Sequence, residues 1–193
     1  MIEIRIHGRG GQGAVIASEI LADSFFAQGQ SVQTFPEFGV ERRGAPVAAY
    51  LRIDTKPIRL RCRIYKPDHI VVLDPVLLNS VDVTVGLKDG GWILINSNKE
   101  PDQMKFPKRF NVATVDATGV AIKYRLGART APIVNTAILG AVCRLPLAVK
   151  LNIDTLRKAI SEGVPFDPAT NVKAAEEAAK IVKSNNKLLE LSR

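Results

Sequence analysis

The chain has 193 residues, a length that fits one domain with a sizeable hydrophobic core. Apolar residues make up 46% of it and charged residues 24%, which is ordinary for a soluble globular protein. No stretch approaches the ~18 uninterrupted apolar residues of a membrane span, and the opening residues from Ile2 to Arg5 do not form a secretory signal. These observations predict a cytoplasmic protein without a membrane segment.

The net charge of +8 is compatible with a nucleic acid, an anionic ligand or an acidic partner protein. The sequence shows no zinc finger, no aromatic RNA-binding motif and no basic helix followed by heptads. The basic residues are instead spread over predicted strands and loops. We therefore expect no nucleic-acid binding and favour a basic surface that meets an acidic partner or solvent.

The residue types most often found in catalytic and metal sites are scarce. Cys62 and Cys143 lie far apart, so they cannot form the clustered thiolates of a metal or iron–sulfur site, and we predict that both are small buried hydrophobic residues. His69 begins a predicted strand. Acid–base chemistry by histidine is possible only at His7, beside a glycine-rich segment. We predict no metal site.

The N-terminal part predicts a strand, a glycine loop, a helix and a second strand. Residues 2–7 alternate as a strand does, residues 8–13 form a turn, apolar residues recur at helical spacing from Ala14 to near Gly29, and residues 31–35 form the next strand. This order is typical of a βαβ unit, which implies a parallel strand pair and a right-handed crossover.

An inserted β-hairpin is predicted next. Residues 47–53 and 59–64 each alternate apolar and polar side chains around a turn-like segment at 54–57. One face of this hairpin is apolar. The other carries four arginines, which indicate either a solvated strand face or a polar interface with another subunit. These are Arg52, Arg59, Arg61 and Arg63.

The remainder alternates buried strands with helices. Strands are predicted at 69–73 (HIVVL), 91–96 (GWILIN) and 112–115, and helices at 75–87, 118–126, 131–149, 153–161 and from 171 onward. The fold class is thus α/β: a Rossmann-like, mainly parallel sheet with helices on both faces, the inserted hairpin and a helical C-terminal part. We expect one domain over residues 1–193.

The glycine loop carries the strongest local motif. Gly8, Gly10 and Gly13 satisfy G-x-G-x-x-G between a strand and a helix, with Gly8 expected to permit the sharp turn, Gly10 the close approach of a ligand and Gly13 tight helix–strand packing. The N-terminus of the following helix and the charge of Arg9 favour an anion there. A second interpretation is that the glycines serve only the turn and a subunit contact.

A nicotinamide dinucleotide fits the loop less well. Its ribose calls for an acid at the end of the second strand, and here Glu37 follows a proline and opens a long loop. Gly11 and Gln12 add an extra glycine and a polar side chain to the loop. The motif therefore indicates an anion more strongly than it indicates NAD.

Four stretches together resemble one protein family. They are GRGGQGAVIAS at 8–18, FPEFGVERRGAPV at 35–47, INSN at 95–98 and NTAILGA at 135–141. The chain, from residue 1 to about 185, resembles the gamma subunit of pyruvate:ferredoxin oxidoreductase and its 2-ketoisovalerate relatives. Where the family often has two glycines after the arginine of the second motif, this chain has Gly44 and Ala45 after Arg43.

The resemblance implies a subunit of an enzyme that oxidatively decarboxylates a 2-oxoacid, forms acyl-coenzyme A and reduces ferredoxin. It implies alpha, beta and delta subunits as partners, with thiamine diphosphate held by alpha and beta and iron–sulfur clusters by beta and delta. The gamma subunit would hold no cofactor of its own, but it could help to form the coenzyme A path.

On this view a group of residues forms a coenzyme A or subunit contact, and the chain has no catalytic residue. Arg42 and Arg43 would supply charge to the same ligand as the glycine loop, or would form salt bridges, with Glu37 or Glu41 orienting them. The group comprises Gly8, Arg9, Gly10, Gly11, Gln12, Gly13, Glu37, Arg42, Arg43 and Gly44. The alternatives are a free-standing NAD(P)-binding oxidoreductase, in which Arg42 and Arg43 receive a 2′-phosphate, and a scaffold protein without a ligand.

Overall fold

A seven-stranded sheet forms the centre of the computed structural model, which describes residues 1–37 and 44–186. Its strands lie in the order β2-β3-β1-β4-β5-β6-β9, and two further short strands, β7 and β8, pair with each other. The strands are β1 (Ile2–Arg9), β2 (Ser31–Glu37), β3 (Pro46–Asp54), β4 (His69–Val72), β5 (Trp92–Asn96), β6 (Asn111–Val115), β7 (Gly127–Ala128), β8 (Ala131–Pro132) and β9 (Lys183–Ser184).

Most strands of the sheet run in one direction. β1, β4, β5 and β6 are parallel neighbours, whereas β3 is antiparallel to both β1 and β2, and β9 is antiparallel to β6. The predicted α/β class with a mainly parallel sheet is confirmed. The carboxyl ends of the parallel strands therefore meet at one edge, where ligands of open α/β sheets bind.

In residues 1–37 and 44–186, five α-helices all pack on one face of the sheet, so the predicted placement of α-helices on both faces is wrong. Alternate strand residues such as Ile4, Leu51 and Leu94 point into a large core that α1 closes with Leu21 and Phe25. The C-terminal part is helical, as predicted, and joins this core. The helices are α1 (Ala14–Ala27), α2 (Ala117–Lys123), α3 (Asn135–Val142), α4 (Ile153–Gly163) and α5 (Pro168–Ile181).

The second face of the sheet has two different halves. Over β4, β5 and β6 it is apolar, with Ile70, Ile93 and Val112 in a smaller core against which Leu78 of a 3₁₀ helix (Pro75–Asn79) packs. A second 3₁₀ helix spans Pro101–Gln103. Over β1, β2 and β3 the same face is polar and carries Glu3, Arg5 and Arg52 among its buried or half-buried side chains.

The opening βαβ unit needs a correction. β1 and β2 are parallel in direction but do not pair, because β3 lies between them and bonds to both. The predicted hairpin is also misplaced: β3 pairs with β2, and residues 57–68 contain no strand. β3 has both of its edges satisfied by β1 and β2, so the alternating segment after it cannot pair with β3.

Two predicted helices are much shorter than expected. Within 75–87 only the 3₁₀ turn at Pro75–Asn79 forms, and the Asp82 carboxylate accepts a bond from the Thr84 N–H that competes with helix formation. The stretch 131–149 contains only α3, because Pro132 belongs to β8 and Pro146 disfavours helical backbone before it. Among residues 1–37 and 44–186, no helix is long and apolar enough to cross a membrane.

Candidate functional site

The glycine loop begins later than the motif predicts. β1 continues through Gly8 and Arg9, with Gly8 opposite Val47 of β3, so the turn role predicted for Gly8 is wrong. The turn is made by Gly11 and Gly13, whose φ angles are +94° and +76°. Glycine is favoured at both positions because other residues adopt this left-handed conformation at a cost.

The loop also depends on close packing around two glycines. A Cβ on Gly8 would lie 3.2 Å from Ala14 Cβ and 3.3 Å from Leu73 Cδ1, so Gly8 permits the tight contact between β1 and α1. A Cβ on Gly13 would lie only 2.4 Å from Asn135 Nδ2. Gly13 therefore packs against the first residue of α3 rather than against a strand.

The loop between β2 and β3 is joined to the glycine loop at Gly44 and Ala45. The Gly10 N–H donates to the Ala45 carbonyl at 2.9 Å, and the Gly44 N–H donates to the Gly10 carbonyl at 3.2 Å. The insertion of β3 beside β1 thus brings together two of the motifs that carry the family resemblance.

The buried carboxylate of Asp74 holds the glycine loop in place. It follows β4 and accepts bonds from Arg9 Nε at 2.5 Å, Gln12 Nε2 at 2.7 Å and the Val76 N–H at 2.9 Å. Burial pushes the pKa of Asp74 upward, but the bonds from Val76, Gln12 and Arg9 together hold that pKa below its usual value. Asp74 therefore stays ionised and orients both Arg9 and Gln12.

The glycine loop opens onto a cavity of about 590 Å³ at the carboxyl edge of the sheet. Asn96 at the end of β5 lines it, and its side-chain amide donates to the Leu73 carbonyl and to Thr118 Oγ1, both at 2.9 Å. The walls are formed by Arg9, Gly10, Gly11, Gln12, Gly44, Leu73, Asp74, Pro75, Asn96, Thr118 and residues 130–134. The size suits a small organic ligand or part of a larger one.

The structure brings together about half of the predicted site residues. Five of them line the cavity: Arg9, Gly10, Gly11, Gln12 and Gly44. Gly8 and Gly13 shape the loop through the contacts described above. Arg42 and Arg43 lie outside the described residues, as does Glu41.

Glu37 lies away from this cavity. Its carboxylate forms a salt bridge with Arg63 Nη1 at 2.7 Å and accepts a bond from the Tyr50 hydroxyl, on the polar half of the second face. Burial and the bond to Glu37 raise the pKa of Tyr50 to about 12, so the hydroxyl remains a donor. The placement of Glu37 in the ligand site is thus not supported by its contacts.

The expectations for histidine and cysteine need correction. His7 Nε2 accepts a bond from Arg5 Nε at 3.0 Å, and burial, helped by the charge of Arg5, lowers the pKa of His7 to about 3. His7 is therefore neutral and does not line the cavity, which makes it unsuitable for acid–base catalysis there. Cys143 is buried as predicted, but Cys62 is exposed.

Sequence reasoning missed several cavity residues. Asp74 directly follows a buried parallel strand, and the rule that ligands bind at carboxyl ends of such strands would have found it, together with Asn96. Residues 130–134 were hidden because their segment was predicted to be a helix. Thr118 has no comparable signal, since it becomes part of the wall through its bonds to Asn96.

The arrangement is suited to binding. Arg9 is partly exposed, and the first-turn N–H groups of α1 lack partners within the helix, so both can contribute to an anion site. Among the described residues, no group of three or more His, Cys, Asp or Glu side chains could hold a metal ion.

Comparisons with known proteins agree with this fold and motif. The family model described as pyruvate ferredoxin/flavodoxin oxidoreductase matches residues 3–181. The chain belongs to this family.

The pyruvate/ketoisovalerate oxidoreductases common subunit gamma of Thermococcus kodakarensis is 55% identical over 184 residues, covering 92% of this chain and 95% of that protein. The pyruvate synthase subunit PorC of Methanosarcina barkeri is 48% identical over 160 residues, covering 83% of this chain and 85% of that protein. The predicted resemblance to gamma subunits is confirmed, and a role as one subunit of a multi-subunit oxidoreductase agrees with these relatives.

A solved structure gives the same result. The pyruvate oxidoreductase subunit PORC of Thermotoga maritima superposes with a TM-score of 0.79 at 33% identity, covering 96% of this chain and 98% of that one. The 2-oxoglutarate:ferredoxin oxidoreductase of Magnetococcus marinus shares the fold at a TM-score of 0.71 and 20% identity, with 93% of this chain matching 31% of that one.

Proposed function

We propose that this chain is the gamma subunit of a pyruvate or related 2-oxoacid:ferredoxin oxidoreductase and that its glycine-loop cavity binds the phosphate groups of coenzyme A. Its partners would be alpha, beta and delta subunits, which carry the thiamine diphosphate and iron–sulfur chemistry, with ferredoxin as acceptor. Residues 1–193 would act as one domain of that complex in the cytoplasm.

One observation supports the ligand in particular: Arg9, Gly10, Gly11 and Gln12 line a 590 Å³ cavity at the carboxyl edge of the sheet, and α1 begins directly after this loop. Guanidinium and backbone N–H groups are suited to phosphate oxygens. The Asp74 carboxylate holds Arg9 through Nε, which leaves the two terminal guanidinium nitrogens for an anion. Arg42 and Arg43 are proposed to add charge to the same ligand.

Measuring the coenzyme A dependence of the assembled enzyme tests this proposal. Arg9→Ala, and separately the double change Arg42→Ala with Arg43→Ala, should each raise the KM for coenzyme A about tenfold, which corresponds to about 1.4 kcal/mol. The KM for the 2-oxoacid should not change. Arg109→Ala, at an exposed position outside the cavity lining, is the matched control.

An unchanged KM for coenzyme A in both variants would overturn the ligand assignment. Titration of the purified chain with coenzyme A and NADPH separates the two ligand classes. Tighter binding of NADPH than of coenzyme A would favour the NAD(P)-binding alternative instead.

A further inference from the structure

A basic, exposed segment lies across the polar half of the sheet's second face. We define the basic strap as residues 56–66, which follow β3. Five of these eleven residues are cationic, and there is no Asp or Glu between positions 55 and 67. The cations are Lys56, Arg59, Arg61, Arg63 and Lys66. The segment contains no strand or helix, so something other than a backbone ladder must hold it.

Side chains of the sheet hold the backbone of the basic strap in place. Arg52 is only 1% exposed, and its Nη2 donates to the carbonyls of Cys62 at 2.8 Å and Arg63 at 3.4 Å. Gln33 Nε2 donates to the Leu60 carbonyl at 2.7 Å. The charge of Arg52 is balanced by Glu3, whose carboxylate lies 2.9 Å from Arg52 Nε. The strap is therefore anchored mainly through its carbonyls, with the buried Ile64 and the Arg63–Glu37 salt bridge as side-chain anchors.

Most side chains of the strap face solvent. Residues 59–63 are all exposed, and within residues 59–66 only Ile64 is buried. Leu60 is 46% exposed and Tyr65 68% exposed, although both are large and partly apolar. Within residues 1–37 and 44–186, neither Arg59 nor Arg61 has a carboxylate at salt-bridge distance, whereas Arg63 pairs with Glu37.

This combination is typical of a protein-binding surface. Arginine and tyrosine are enriched among the residues that dominate binding energy, and exposed apolar side chains between them add contact area. A backbone that is already fixed loses less conformational entropy when a partner docks. The positive charge, with two arginines that lack partners in the described chain, calls for carboxylates opposite.

We propose that the basic strap is the docking surface for an acidic segment of another subunit of the oxidoreductase. The inference rests on the proposed function, since it needs partner subunits. Apolar Leu60 and Tyr65 interleaved with the cations favour a protein over a nucleic acid, for which the sequence shows no binding module. The strap lies on a sheet face, away from the cavity lining at the carboxyl edge.

Assembly of the co-expressed complex tests this surface. Arg59→Glu combined with Arg61→Glu should weaken association of this chain with its partner subunits at least tenfold, as measured by native mass spectrometry and by dissociation on dilution. The wild-type association should weaken as salt rises, and the variant's should depend on salt less steeply. Lys105→Glu combined with Lys108→Glu, two exposed lysines elsewhere, is the matched control and should assemble like wild type.

Cys62 supplies a second readout within the strap. Its exposed thiol should react with a thiol reagent in the free chain and much more slowly in the assembled complex. The milder pair Arg59→Ala and Arg61→Ala tests the surface without introducing like charges, and it should weaken association by a smaller factor. Circular dichroism of each variant checks that the chain is folded.

The possible failures are distinguishable. If the wild-type chain assembles and the glutamate variant assembles equally well, with Cys62 still reactive in the complex, the docking inference is wrong while the proposed function stands. If the wild-type chain does not assemble with its partner subunits, the proposed function fails and the docking inference fails with it. Loss of RNA oligonucleotide binding in the glutamate variant, with normal assembly, would instead identify a nucleic-acid surface.

Discussion

Two regions of the molecule each depend on one buried charged side chain, and the two charges are opposite. At the carboxyl edge of the sheet, the carboxylate of Asp74 gathers Arg9, Gln12 and the Val76 N–H. On the second face, the guanidinium of Arg52 gathers carbonyls of the basic strap and the carboxylate of Glu3. In both regions a buried charge helps to order a segment that forms no strand or helix.

What surrounds the charge differs. Asp74 attracts donors and holds Arg9 at the cavity through Nε, which leaves the terminal guanidinium nitrogens for a small anion. Arg52 attracts carbonyl oxygens, so the side chains of the strap turn outward, and that arrangement suits a broad surface. The two buried charges thus leave different groups for a partner: the guanidinium of Arg9 at the cavity, and a row of exposed side chains on the strap.

Removing the Arg52 charge is expected to have the largest effect. Arg52→Met keeps much of the side-chain length but leaves Glu3 and two strap carbonyls without their donor, so the free energy of unfolding should fall by about 3–5 kcal/mol. Urea denaturation measures this change. Arg59→Met, at an exposed strap position, is the control and should change stability by less than about 0.5 kcal/mol. Equal losses of stability in Arg52→Met and Arg59→Met would contradict the assignment of Arg52 as the anchor of the strap and of Arg59 as part of its exposed surface.

The glycine loop offers a comparison of two left-handed positions. Gly13→Ala requires a strained φ, at about 1–2 kcal/mol, and also places Cβ against Asn135, at about 1–3 kcal/mol more. Gly11→Ala has the same backbone strain but nothing within 4 Å of its Cβ. In thermal unfolding, the Gly13→Ala variant should therefore have a lower Tm than the Gly11→Ala variant. The reverse order would mean that the loop does not pack on α3.

Neutralising Asp74 should loosen the loop more gently. Asp74→Asn keeps the side-chain shape but replaces one carboxylate oxygen, an acceptor, by an amide NH₂ group, a donor, close to the donors of Arg9 and Gln12. This change should lower the free energy of unfolding by about 1–3 kcal/mol. Faster hydrogen exchange should be confined to the glycine loop and the start of the Pro75–Asn79 helix. Exchange that also accelerates in the basic strap would show that the two regions are coupled rather than separate.

Replacing His7 should change the free energy of unfolding least at neutral pH and clearly in acid. The folded chain holds the pKa of His7 at about 3, while the unfolded chain has the ordinary value near 6.5, so the unfolded state binds more protons between these values. The stability contribution is complete above pH ~6.5 and is lost as pH falls toward 3, at up to about 1.4 kcal/mol per pH unit. His7→Gln should flatten the pH dependence of urea stability in this range. Parallel curves for the two proteins would contradict the buried, neutral histidine.

The sequence predicted the elements better than their arrangement. The strand Trp92–Asn96, a nearly continuous apolar run, and the helix Ile153–Gly163, with its amphipathic pattern, appear nearly where expected. The insertion of β3 between β1 and β2 was missed because periodicity carries no information about which strands pair. For the same reason the alternation at 59–64 was assigned to a hairpin, although β3 is already paired on both sides by β1 and β2.

The candidate site was predicted in part. The positions that need glycine, and Arg9 beside them, follow from a local motif. Asp74 and Asn96 reach the cavity because of the order of the strands, which local patterns do not give. Residues 130–134 were missed because they were assigned to a helix, whereas Pro132 belongs to the short strand β8. Glu37 is not part of the cavity lining and pairs with Arg63, a contact across about 26 positions that no local pattern indicates.

The central position of β1 has a consequence for biosynthesis. β1 bonds to β3 on one side and to β4 on the other, and neither partner exists until residues 46–54 and 69–72 have been made. At about 5–20 residues per second, apolar Ile2, Ile4 and Ile6 wait roughly 2–10 s without their first neighbour. The nascent chain should therefore depend on chaperones most strongly until β3 and β4 have been synthesised.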